Sequence, residues 1–99
     1  MTKCLLKLFI IDKTPRSLRA ITNLHRICEE ELRKEYELEL IIIDVIERPE
    51  LAEDEKIFAT PTLIKESPLP VRRIIGDLSD TRQVLLGLEL LNQEASWRE

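Results

Sequence analysis

The side chains able to do chemistry in this chain are few, and their spacing excludes more than it offers. Cysteine occurs only at Cys4 and Cys28, with no C-x-x-C pair. The commonest dithiol redox site is therefore missing. The one histidine, His25, cannot build a histidine-based metal cage within a single chain. The two glycines, Gly76 and Gly87, cannot form a phosphate-cradling loop of the Walker or dinucleotide-binding kind. These absences predict no catalytic residue, no metal site and no cofactor, and they point to a binding protein.

Ninety-nine residues make one domain, residues 1–99, able to bury a modest core. At 43% hydrophobic and 34% charged the chain is expected to be globular. A net charge of −4 argues against nucleic acid as a bulk partner. No apolar run approaches the roughly 20 residues that span a bilayer. Lys3 and Lys7 stand in the first seven residues with no small-residue cleavage site, so no signal peptide is expected. Two cysteines and no export signal suggest a reducing cytoplasm.

The elements that would position any site follow from periodicity. Residues 4–11 read C-L-L-K-L-F-I-I, a short apolar run suited to a strand buried on both faces. Thr14 is a candidate N-cap and Pro15 fits a first helical turn. From Arg16 to about Glu35, Leu18, Ile21, Leu24, Cys28 and Leu32 recur at helical spacing. Cys28 on that apolar face reads as core, not nucleophile. Arg16, Arg19, Asn23 and Arg26 form a stripe on the opposite face, and glutamates crowd the far end, which suggests either a solvated face or a partner contact.

Residues 38–46 predict a second strand in the centre of the sheet, completing a right-handed βαβ unit. Pro49 opens a short helix expected to end near Ile57 and Phe58. Pro61 opens a third strand. Residues 71–76 predict a fourth, followed by a helix entry with Ser79 as N-cap and Asp80 in the first turn. A full capping box fails there, because Arg82 stands where Glu or Gln belongs.

Residues 84–91 are the ambiguous stretch. They are apolar nearly all round, and Gly87 in a helix interior costs about 0.5–1 kcal/mol relative to alanine. As a strand, the same stretch could be buried on both faces. Gly87→Ala is expected to favour helix by up to about 1 kcal/mol.

The order β-α-β-α-β-β-α, with Thr60-Pro61-Thr62 opening the third strand, resembles the thioredoxin fold without its CxxC. That resemblance makes Pro61 a structural cis-proline candidate. The blocks Ala59-Thr60-Pro61-Thr62-Leu63 and Pro70-Val71-Arg72-Arg73-Ile74-Ile75-Gly76-Asp77-Leu78-Ser79, with Pro49-Glu50-Leu51-Ala52-Glu53, are similar to the KaiB family over nearly the whole chain.

The resemblance implies a non-enzymatic regulator in circadian rhythm or a related stress response. It would bind a KaiC-like ATPase ring and modulate its phosphorylation, with KaiA or a sensor histidine kinase as possible further partners. It also implies two folds: a thioredoxin-like monomer that binds the ring, and a homo-oligomer, a tetramer or dimer, whose second half is rearranged as β-α-β-β-α-α-β. Mass action at high concentration favours the oligomer.

By position, the resemblance assigns Arg19, Lys56, Arg72 and Arg73 to partner-binding, and Gly87 and Glu89 to the fold switch. Ile41 departs from the family lysine on the second strand, and the tail Ala95-Ser96-Trp97-Arg98-Glu99 is short. The alternatives are an oligomeric sensor or adaptor without a clock role, and a redox enzyme, which the two cysteine positions disfavour.

Overall fold

The first strand sets the frame because its alternate residues are buried in both directions. In the computed structural model, which describes residues 1–90, β1 (Thr2–Ile10) lies inside a four-stranded sheet. The strands are ordered β2 (Tyr36–Asp44), β1, β3 (Thr62–Ser67), β4 (Arg72–Ile75). β1 runs parallel to β2 and antiparallel to β3, and β3 runs antiparallel to β4. The architecture is the thioredoxin-like α/β arrangement that the sequence suggests.

Cys4, Leu6, Leu8 and Ile10 of β1 face α1 (Pro15–Ile27) and α3 (Thr81–Gly87), with Ala20, Leu24, Val84, Leu85 and Leu88 completing the larger core. On the other face Phe9, Ile43 and Ile64 form a smaller core. There Leu51 of α2 (Pro49–Asp54) and Ile57 pack against it. Pleating alone divides the residues in this way, since neighbours along a strand point to opposite faces.

The structure departs from sequence expectation at several points. β2 is an edge strand, not a central one. Its β-branched run misleads, because Ile41 and Ile42 are left partly exposed at that edge. The α-helical part of α1 ends at Ile27 and continues as a π-helical turn, Cys28–Leu32, in which the Arg33 amide donates to the Cys28 carbonyl. The wider turn keeps both Cys28 and Leu32 in the core.

Thr14 is the N-cap residue by position, but its hydroxyl donates to the Ile11 carbonyl at 2.8 Å instead of accepting from the helix. The cap of α3 is Asp80, one residue beyond the expected Ser79. The Asp80 carboxylate accepts from the Gln83 amide, while the Ser79 amide donates to Asp77. With that shift, the residue three beyond the cap is Gln83, not Arg82.

Residues 84–90 settle as the end of a helix, and Leu91 and the tail lie outside the described residues. α3 closes at Gly87, then Leu88, with Glu89 in the left-handed region at φ 57°. The Glu89 amide donates to Leu86 and the Leu90 amide to Leu85, the double bond of a Schellman end. α2 closes the same way and ends earlier than expected, with Lys56 at φ 56°, its amide on Glu53 and the Ile57 amide on Ala52. Neither left-handed residue is the glycine that such ends favour. Gly87 serves a different need. A Cβ there would sit 2.8 Å from Cδ1 of Ile74 on β4, so the alanine variant does not simply gain helix propensity.

Candidate partner interface

The thiols are set away from reaction. Cys4 and Cys28 are buried in the larger core. Burial pushes the Cys28 thiol up to about 11, so the thiolate that redox chemistry needs is disfavoured. Among the described residues no group of histidine, cysteine and carboxylate side chains could hold a metal. No helix among them is long and apolar enough to cross a membrane.

Arg19, Lys56, Arg72 and Arg73 are brought to different places. Arg19 lies on α1 and donates to Asp77 at 3.3 Å, while the neighbouring Asn23 donates to the Asp77 carbonyl and Arg26 to Thr81. Hydrogen bonding from Ser79, and then from Arg19, holds the Asp77 carboxyl below its ordinary range. The polar stripe of α1 thus grips the connection between β4 and α3.

Arg72 and Arg73 are adjacent on β4 and leave the sheet on opposite faces. Arg72 donates to Glu89 at 2.6 Å. Arg73 donates to the carbonyls of Glu55 and Lys56, at 2.8 and 3.3 Å, at the end of α2. Lys56 occupies the left-handed position just after α2.

Sequence reasoning missed the most exposed large apolar side chain of this region. Phe58 is 91% exposed, Ile46 is 70% and Ile75 is 61%. Phe58 lies in the loop that leads from α2 to the cis Thr60–Pro61 bond, and the cis geometry expected of Pro61 is found there. The Gly76 amide, following Ile75, donates to the Pro61 carbonyl, which brings the end of β4 to the same loop. Ile57, Phe58, Ala59 and Thr60 line a shallow hollow of about 290 Å3 with Val45 and Pro49. The available signal was a lone aromatic between a helix end and the Ala59-Thr60-Pro61 block.

Lys65 was also missed. It is fully buried, and its Nζ has no hydrogen-bond partner among the described residues. Desolvation pushes its ammonium below the usual lysine range, although Glu89 opposes the shift. An amine in that setting is a cost to the fold.

Comparison with known proteins shows the family and the fold. The KaiB domain family model matches residues 7–90. The circadian clock oscillator protein KaiB of Prochlorococcus marinus is 53% identical over 95 residues, covering 96% of this chain and 82% of that protein. The circadian clock protein KaiB3 of Synechocystis is 52% identical, covering 92% and 87%. Among solved structures, the N-terminal domain of SasA from Synechococcus elongatus superposes with a TM-score of 0.72 at 26% identity, over 93% of this chain and 89% of that one. Mitochondrial thioredoxin 3 of Saccharomyces cerevisiae gives 0.70 at 17% identity, over 92% and 81%, a likeness of fold alone.

Proposed function

We propose that this chain, which belongs to the KaiB family of circadian clock proteins, regulates a KaiC-like ATPase ring by docking on it in the thioredoxin-like state. The observation that carries the reading is the exposed Phe58 in the loop before Pro61, to which the Gly76–Pro61 hydrogen bond brings the end of β4 with its exposed Ile75. An aromatic side chain left 91% in water has no folding purpose and is the residue type that anchors interfaces.

Lys56, beside Phe58, supplies a charge at the rim, where it sets orientation and on-rate more than affinity. Arg19 extends the basic surface along α1. The likeness to the SasA N-terminal domain supports a shared docking surface, so a sensor histidine kinase of that kind is a competitor for the same ring. KaiA is a partner of the assembled complex. The rearranged homo-oligomer is the storage state, and the ring draws the monomer out by mass action. The protein acts in the cytoplasm and catalyses nothing itself.

The test is association with a cyanobacterial KaiC ring in ATP, followed by native mass spectrometry over a day of incubation. A complex that forms with the wild-type chain and weakens at least about tenfold with Phe58→Ala agrees with the reading. No complex at tens of micromolar, or one indifferent to Phe58, contradicts it.

A further inference from the structure

Arg72 and Arg73 hold two helix ends at once. The last carbonyls of a helix lack internal partners and carry partial negative charge. Arg73 offers its guanidinium to the carbonyl of Glu55, the C-cap of α2, and to that of Lys56 just beyond it. On the opposite face Arg72 holds the carboxylate of Glu89, the left-handed residue that closes α3. One peptide unit on an edge strand therefore links the two ends. Phe58 stands two residues beyond Lys56, and the Ile57 amide between them is bonded back into α2 at Ala52. The course of the docking loop is set by the helix end that Arg73 holds.

We propose that Arg73 is a positioning residue for Phe58, and that Arg72 makes this positioning conditional on the seating of α3. Arg73 does not touch the partner; it fixes the loop that does. When α3 leaves the sheet, Arg72 loses Glu89, β4 loosens, and Arg73 no longer holds the end of α2. The exposed aromatic is then no longer presented in one place. This inference rests on the docking role of Phe58.

Amide hydrogen exchange of the full chain, read beside its affinity for a KaiC ring, tests both steps. Arg73→Gln is expected to speed exchange at Lys56 and Ile57 and to weaken ring binding, each at least about tenfold. Arg73→Lys restores the charge but lacks the planar fork that reaches two carbonyls, so both defects persist at several-fold. Arg72→Gln is expected to speed exchange at Leu90 and at Ile57 together. Full rescue of binding by lysine, or weakened binding with unchanged exchange at Ile57, makes Arg73 a direct contact and overturns the positioning role. Faster exchange at Leu90 alone overturns the coupling. Wild-type affinity in Phe58→Ala overturns the docking reading by itself, because the exchange results are read without the ring.

Discussion

The two halves of the chain are built to different standards. Residues 1–46 carry one non-glycine residue in the left-handed region, Lys13, and their apolar face closes on Leu6, Leu8, Leu24 and Ile27 with almost no exposure. Residues 47–90 carry three, Lys56, Leu78 and Glu89, together with the close approach of Gly87 to Ile74 and the buried Lys65, whose Nζ has no hydrogen-bond partner among the described residues. Each left-handed residue costs on the order of 1 kcal/mol or more. Local costs thus collect in the half that carries the proposed docking loop. A second packing of residues 47–90 has less to beat there than one of residues 1–46 would have.

The widest contrast comes from truncating the first half. Leu24→Ala removes a fully buried side chain and is expected to destabilise the protein by about 2–5 kcal/mol, read by chemical denaturation. A loss under about 1 kcal/mol would mean that this core is looser than its burial indicates. In the second half the sign reverses. Lys65→Met replaces a buried amine with no hydrogen-bond partner among the described residues and is expected to stabilise the thioredoxin-like state by about 1–3 kcal/mol near neutral pH.

The pH dependence of that gain follows from linkage. Burial lowers the folded-state pKa of Lys65, so the unfolded chain binds the extra proton. Stability from this group is complete only above the ordinary lysine value of 10.5 and falls as pH drops through the lowered one. The advantage of Lys65→Met over wild type is therefore expected to shrink as pH rises toward 10.5. A constant advantage across that range would assign the gain to packing instead.

Smaller effects sharpen the comparison further. Lys56→Gly relieves a left-handed residue and is expected to add up to about 1 kcal/mol. Gly87→Ala is expected to gain little or to lose stability, because the new methyl meets Cδ1 of Ile74. In an Ile74→Val background, which lacks that carbon, Gly87→Ala is expected to recover a few tenths of a kcal/mol or more of helix propensity relative to Ile74→Val alone, measured as the shift in denaturation midpoint. An equal effect of Gly87→Ala in both backgrounds would show that the Ile74 contact yields without cost.

Much of this was legible in the sequence where one periodicity ruled. The apolar run of β1 and the helical spacing of Leu24, Cys28 and Leu32 placed the larger core, although Ile21 only packs against its edge and Leu18 of the same stripe is 50% exposed. The Thr60-Pro61 dipeptide placed the start of β3 and its cis bond. Legibility failed where tertiary contacts decide. The β-branched run of residues 38–46 cannot say whether a strand is central or at an edge. Ser79 and Asp80 are both good caps, and the Asp77 turn that claims the Ser79 amide decides between them. Gly87 read as a flaw in a helix until Ile74 stood beside it, and nothing local marks Lys65 as buried.

Residue-resolved hydrogen exchange of the unliganded monomer under native conditions tests the contrast between the halves most directly. The Leu88 and Leu90 amides, and with them Ile57, are expected to open together at a free energy well below that of the β1 and α1 amides around Leu6 and Leu24. A single opening free energy shared by both halves would contradict it.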